Sequence, residues 1–155
     1  MIIAGIDPGK GGALAILFPD GSVEVHRVPL QRIGKKEVPC WTEWAMQWSM
    51  ALRLAEPDKV MIENVSARPT QGVTSMFNFG KVYGFAIGIA AAARCPIEFV
   101  TPSVWKGKVG LLKADKNASR EKARQLYPKA ASELTRVKDD GVAEAVLMAH
   151  CGKSS

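Results

Sequence analysis

Met1-Ile2-Ile3-Ala4-Gly5-Ile6-Asp7-Pro8-Gly9-Lys10-Gly11-Gly12-Ala13-Leu14-Ala15-Ile16-Leu17-Phe18 is the stretch that decides the fold. Met1–Ile6 is an unbroken apolar run of strand length and reads as a buried strand. It runs into the turn Asp7-Pro8-Gly9-Lys10-Gly11-Gly12, whose glycines let a ligand approach the backbone. Ala13–Phe18 is a second apolar run. Pro19-Asp20-Gly21-Ser22 then gives a tight turn into a third strand, which carries Val23 and Val25 and reaches Arg27-Val28. Three strands with short connections make an antiparallel meander, and Asp7 stands at the end of the first.

Beyond the meander the period changes. Pro39 opens a helix in which Trp41, Trp44, Trp48 and Leu52 recur at helical spacing, a stripe that reads as core, and Pro57-Asp58 ends it. Lys59–Glu63 is a short apolar strand closing on an acid. A long helical stretch covers Gly72 to Ala93, followed by a strand at Ile97–Val100. Thr101-Pro102-Ser103 starts a short helix, and a basic loop covers Lys106–Lys116. Asn117 or Ser119 caps a helix that runs to Leu126 and breaks at Pro128. The last helix starts near Asp139 and carries Ala143, Val146, Leu147 and His150. Strand-strand-strand-helix-strand-helix-strand-helices predicts an α/β domain, a mixed sheet with helices packed on it. No internal repeat or low-complexity segment interrupts it.

A chain of 155 residues, 47% hydrophobic and 23% charged, is expected to form one domain over residues 1–155 with a sizeable core. Its formal charge of +6, from 21 basic and 15 acidic side chains, suits a nucleic-acid partner, although ordinary enzymes reach it too. Cys40, Cys95 and Cys151 follow no metal-ligand spacing. The longest apolar run, Val82 to Ala93, is well short of the ~20 residues that span a bilayer. Nothing at the start reads as a signal peptide. These features predict a reduced, intracellular protein with no membrane partner.

The chemistry lies in the acids. Asp7 and Glu63 each end a strand, and Asp139, Asp140 and Glu144 occupy the first turns of the last helix. Asp140 and Glu144 are four apart and share one helix face, whereas Asp139 is five from Glu144 and turns away from that face. Geometry thus favours Asp140 as the partner of Glu144, with Asp139 the alternative. Like charges at this spacing destabilise a helix slightly unless a cation sits between them. Mg²⁺ supplies such a charge and takes oxygen ligands. Four converging carboxylates could hold two ions ~3.5–4 Å apart, to activate a water and stabilise the leaving oxygen of a phosphodiester. Taken singly, each acid also has an ordinary reading, as a turn residue before Pro-Gly or as a partner of a helix dipole. Their joint placement makes the case.

Four segments in order, Ile3-Ala4-Gly5-Ile6-Asp7-Pro8-Gly9, Ile62-Glu63-Asn64-Val65, Thr101-Pro102-Ser103-Val104-Trp105-Lys106 and Asp140-Gly141-Val142-Ala143-Glu144-Ala145, resemble the RuvC family of Holliday junction resolvases. The likeness is to the short versions encoded by phages and spans nearly the whole chain. It implies a ribonuclease H-like α/β fold, a mixed five-stranded sheet with helices on both faces. It further implies a cytoplasmic homodimer, of bacterial, phage or prophage origin, that nicks four-way DNA junctions in pairs and leaves 5′-phosphate and 3′-hydroxyl ends. By resemblance Asp7, Glu63, Asp140 and Glu144 are the metal ligands for two Mg²⁺ per site, with Mn²⁺ able to substitute. Two departures stand out. Bacterial members end with two aspartates three apart, where this chain has Asp140 and Glu144. They also carry an aromatic wedge three residues after the central Glu, where this chain has Ser66. Phe77 and Phe79 are candidates for that work, against the commoner role of helical aromatics in a core.

Lys106, Lys108, Lys113, Lys116, Arg120, Lys122 and Arg124 face only Asp115 and Glu121 in their segment, and phosphate contacts dominate nucleic-acid affinity. Lys106, Lys108, Lys113 and Lys116, with Arg68 and Lys81, are the candidate DNA contacts. Lys106 or Lys108 is the first choice beside the scissile phosphate. Gly80, Gly84 and Gly88 put a small-residue seam on one helix, expected to pack closely against another element and, by resemblance, near a dimer interface. His26, His150 and Cys151 read as structural.

Three other classes compete. Asp-Pro-Gly-Lys-Gly-Gly after a strand also looks like the first phosphate loop of actin-like ATPases, but those need two such domains around the nucleotide. A junction-binding module would be expected to have lost a carboxylate, and all four positions are acidic here. A nuclease of the same fold acting on flaps, other branched DNA or RNA–DNA hybrids stays open, because a metal site alone does not choose the substrate.

Overall fold

A computed structural model describes residues 1–153. The meander forms as expected: β1 (Ile3–Asp7), β2 (Ala13–Leu17) and β3 (Val23–Arg27) pair antiparallel. β1 starts two residues later than the sequence suggests and takes in Asp7. Between β3 and the first helix lies an element that the sequence reading missed. β4 (Leu30–Ile33) and β5 (Lys36–Pro39) form a separate two-stranded hairpin, so Pro39 closes a strand, and α1 (Trp41–Ala55) begins two residues on.

β6 (Lys59–Glu63) then pairs parallel to β1, and β7 (Ile97–Val100) parallel to β6. The five-stranded sheet runs β3-β2-β1-β6-β7. α2 (Val73–Ala92) connects β6 to β7. After β7 come α3 (Pro102–Lys108), α4 (Lys116–Leu126), two 3-10 segments (Pro128–Leu134 and Val137–Asp139) and α5 (Asp140–Gly152). α3 runs through Lys108, so the expected basic loop starts inside a helix. The cap of α4 is Asp115, whose carboxylate accepts from the Ala118 N–H at 3.0 Å, in place of the Asn117 or Ser119 expected.

Strand alternation divides the core into two layers. Ala4, Ile6, Leu14, Ile16, Val60 and Ile62 point to one face, where Trp44, Trp48 and Leu52 of α1 and Val82, Ala86 and Ile89 of α2 cover them. The tryptophan stripe is core, with Trp44 and Trp48 fully buried. Ile3, Ala15, Leu17 and Met61 point to the other face, against α5. Gly5 sets the distance: a Cβ there would collide with the Ala145 carbonyl of α5, so only glycine lets the helix lie this close to β1.

The same alternation places the acids. Asp7 follows Ile3 and Gly5 in parity, and Glu63 follows Met61, so both belong to the α5 face. The parallel register Gly5↔Met61 and Ile6↔Ile62 carries on to set Asp7 beside Glu63 at one sheet edge. At that edge α5 begins. No described helix is long and apolar enough to cross a membrane.

Candidate active site

Asp7, Glu63 and Glu144 form one electrostatic cluster. Burial, opposed by a hydrogen bond from the Gly9 N–H and reinforced by the charge of Glu63, pushes Asp7 up to about 6. Burial, then the charges of Asp7 and Glu63, pushes Glu144 up to about 7; Lys106 acts in the opposite direction, and Asp140 adds to the rise. Glu144 therefore feels all three other candidate acids, and the one lysine beside it does not neutralise them.

The close seating of α5 comes from Gly141, where a Cβ would strike the Gly11 carbonyl and press on Gly12 and the Asp7 carboxylate. The glycine turn after Asp7 and the first turn of α5 thus interlock, bringing a helix-borne acid to a strand-borne one.

Each remaining acid is held by a neighbour. Glu63 Oε1 accepts a 3.0 Å bond from the indole Nε1 of Trp105, which is fully buried on α3. Its backbone carbonyl accepts from the Tyr83 hydroxyl of α2 at 2.9 Å. Asp140 Oδ1 accepts from Nε of Arg120 at 2.8 Å, and Arg120, itself nearly buried, also donates to the Asn117 side chain. Asp139 differs in kind. It is fully buried, and its two oxygens take bonds from Arg27, from the Arg136 side chain and from the Arg136 N–H at 2.9–3.1 Å. Desolvation alone would raise it, but those bonds outweigh burial and hold it at about 2. Asp139 is a structural anion that ties β3 to the start of α5.

The donor set is all oxygen, negatively charged, and short of positive charge, which suits a hard divalent cation. Among the described residues no three of these side chains already converge as a coordination shell. Asp140 is turned to Arg120 and Glu63 to Trp105, so a cation would compete with those partners.

Lys106 reaches Glu144 electrostatically, and its amine lies 5.3 Å over the Trp105 ring. Lys108 points elsewhere, its amine 3.5 Å from the Cys151 carbonyl at the far end of α5. Lys113 and Lys116 are exposed on the loop into α4 and at its first turn. Arg68 lines a cleft of about 380 Å³ with Glu63, Asn64, Ser66, Phe79 and Pro102. Lys81 sits on α2 over the Trp41 and Phe77 rings. Phe77 is 66% exposed and no part of the core, and Phe79 stacks on Tyr83 in that cleft. The glycine seam is also exposed. A Cβ at Gly80, Gly84 or Gly88 would meet no atom within 4 Å, so it is not packed against this chain as expected.

The sequence reading passed over Trp105 and Arg120. Trp105 lay inside a quoted motif without a role, and Arg120 was only one cation among seven. Nothing local signals either, because each partner is distant in sequence.

No family model matches the sequence, and no curated protein matches it. Solved structures do. A Thermus thermophilus RuvC in complex with a Holliday junction substrate aligns over 97% of this chain and 92% of its own, at 18% identity and a TM-score of 0.67. The chain has a RuvC-like fold. A second Thermus thermophilus RuvC structure aligns over 99% of this chain and 96% of its own, at 19% identity and a TM-score of 0.62. The fowlpox virus Holliday junction resolvase does so over the same shares, at 19% identity and a TM-score of 0.51. The mixed five-stranded sheet with helices on both faces is therefore the RuvC-like arrangement, as the sequence motifs imply.

Proposed function

We propose that the protein is a divalent-metal-dependent endonuclease that cuts branched DNA, with four-way junctions as its substrate and paired nicks as its products. The observation that carries this reading is the placing of Asp7 and Glu63 at neighbouring strand ends with Glu144 of α5 above them, where burial and the neighbouring charges raise the proton affinity of Asp7 and Glu144. The RuvC-like fold supports the choice of substrate, since a Thermus thermophilus RuvC of that fold was solved with a Holliday junction substrate.

Asp7, Glu63, Asp140 and Glu144 would hold two Mg²⁺, with Mn²⁺ able to substitute. Bound there, such ions lower the pKa of a water and offset charge on a scissile phosphate, giving 5′-phosphate and 3′-hydroxyl ends. The chain's own residues prepare the site. Trp105 fixes the rotamer of Glu63 through Oε1, and Tyr83 fixes the backbone beneath it. Arg120 balances Asp140 until a stronger cation competes. Lys106, beside Glu144, supplies a mobile positive charge for the phosphate as negative charge builds on it. Arg68 in the adjoining cleft, with Lys81, Lys113 and Lys116, would contact the DNA backbone.

We propose a homodimer, so that two such sites nick two strands. The open seam at Gly80, Gly84 and Gly88 and the exposed Phe77 and Val73 on α2 support that face as the contact. The deciding experiment incubates the protein with a synthetic four-way junction, a flap and a linear duplex, with and without Mg²⁺. Symmetric metal-dependent nicks confined to the junction support a resolvase. Equal cutting of all three substrates reduces the protein to a general nuclease, and no cutting with intact junction binding makes it a binding module.

A further inference from the structure

Resting on the nuclease reading above, we propose that the β4–β5 hairpin is a DNA arm that grips the phosphate backbone of the duplex flanking the scissile bond. The hairpin belongs to no larger sheet and buries almost nothing: all four residues of β4 are exposed, as are Lys36 and Glu37 of β5. An isolated two-stranded hairpin is marginal in water, so this one gains from a partner outside the domain core. Its turn is the two-residue Gly34-Lys35, with Gly34 at φ 63, which keeps the strands tightly paired up to the tip.

Its charges name the partner. Arg32, Lys35 and Lys36 stand against the single acid Glu37, and their side chains enter no ion pair among the described residues. Three cations within five positions at the tip, with one acid across from Arg32, leave the tip net positive and suit a polyanion. Position then selects DNA near the cut. The Val28 N–H at the hairpin root donates to the Gly12 carbonyl, and the Lys10 amine donates to the Glu37 carbonyl at 3.3 Å. Gly12 and Lys10 belong to the turn after Asp7, which packs on its other side against Gly141 of α5. One loop therefore carries the hairpin on one flank and the acids on the other. At ~3.4 Å per residue, β4 spans roughly 13 Å. That places the tip a few phosphates from a scissile bond, since one strand offers a phosphate every ~3.4 Å of helix axis.

The test compares junction binding by fluorescence anisotropy across a salt series, with Mg²⁺ present and in an Asp7→Asn background so that bound DNA stays intact. The variant is Arg32→Ser/Lys35→Ser/Lys36→Ser, all at exposed positions. The control is Arg53→Ser/Arg94→Asn, at the opposite sheet edge where α1 and α2 end. The hairpin variant is expected to bind at least tenfold more weakly at ~0.15 M salt, with a salt slope shallower by up to about 2.7, because each lost phosphate contact removes ~0.9. Shortening the junction arms should weaken the parent protein and not the variant. If the parent binds the junction and the variant binds with the same affinity and slope, the arm is wrong and the nuclease reading stands. If the parent binds no branched DNA, both fail. If light scattering shows that the variant has lost its dimer, the hairpin is a contact between copies and the arm is overturned.

Discussion

The indole Nε1 of Trp105 donates a 3.0 Å hydrogen bond to Oε1 of Glu63, from a ring that is fully buried and that carries the Lys106 amine over its face. One side chain thus touches both an acid and a cation of the site. Trp105→Phe removes the N–H and keeps a ring for the cation. Outer partners of metal ligands are typically worth 10–100-fold, so kcat on a four-way junction is expected to fall by about that much with KM for DNA little changed. The Mg²⁺ concentration for half-maximal activity should rise as well. A nuclear magnetic resonance titration gives the separate readout. The Trp105 indole N–H signal, identified by its loss in the variant, should shift with Mg²⁺. A signal indifferent to the metal would detach Trp105 from the site.

Adjacent aspartates are predicted to part company. Asp139→Asn leaves Arg27 and Arg136 around a buried neutral amide and is expected to cost about 2–4 kcal/mol in denaturant unfolding. Asp140→Asn should abolish cleavage with little loss of stability. The pH dependence follows from the depressed value at Asp139. Its contribution is complete above the ordinary carboxylate value near 4 and is lost as pH falls from there through about 2. Cleavage by Asp139→Asn that is lost while the fold is intact would instead make Asp139 a ligand.

The raised values at Asp7 and Glu144 act with the opposite sign. A carboxyl whose folded value lies above its unfolded value adds stability below the unfolded value and loses it as pH rises through the folded one. The metal-free protein should therefore lose stability between about pH 4 and 7. Asp7→Asn or Glu144→Gln should raise Tm at pH 8 by a few degrees, on the order of 1–2 kcal/mol. Mg²⁺ should raise the Tm of the parent protein and much less that of either variant. Activity at low Mg²⁺ should climb between pH 6 and 7, and excess metal should move that rise to lower pH, since cation and proton compete. Thermal melts in which added Mg²⁺ changes nothing at pH 8 would contradict the metal site.

Lys106 and Lys108, equally attractive as cations in the sequence, face different ends of α5. Lys106→Met should lower kcat by about 10²–10³-fold, the usual effect of losing a group that stabilises transition-state charge. Lys108→Met removes a cation from the carbonyl end of α5, worth up to ~1 kcal/mol, and should lower Tm slightly while cleavage stays within about threefold. Steady-state rates on a junction separate the two.

Gly84 lies mid-helix on α2, facing open space. An exposed helical glycine costs roughly 0.5–1 kcal/mol relative to alanine. Gly84→Glu should therefore leave the isolated fold as stable as before and break the proposed dimer. Light scattering is expected to show a monomer, and paired nicks on a junction should become single ones. A dimer that survives the substitution would move the interface elsewhere.

Much of this protein is written locally. Strand runs of period two, the helical recurrence of Trp41, Trp44 and Trp48, and acids placed where strands end or a helix begins are properties of neighbouring residues, and they carried the α/β layout and all four candidate ligands. Local pattern went astray where the burial that normally marks an element is absent. The β4–β5 hairpin buries almost nothing, so it left no apolar alternation to read. The glycine seam looked like a packing face, and only the fold shows that nothing in the chain covers it.

That Asp7 and Glu63 end their strands and that Asp140 and Glu144 share a helix face follows from neighbouring residues, because backbone periodicity dictates where side chains point. Their surroundings come from contacts between distant segments. The parallel pairing of β1 with β6 made two strand ends neighbours, the glycines at positions 5 and 141 let α5 lie close above them with a third acid, and burial raised the proton affinity of Asp7 and Glu144. The fold also gave Asp139 to two arginines, Asp140 to Arg120, and Glu63 to a tryptophan 42 residues away. Those partners are set by packing between distant segments, and no run of neighbouring residues encodes them.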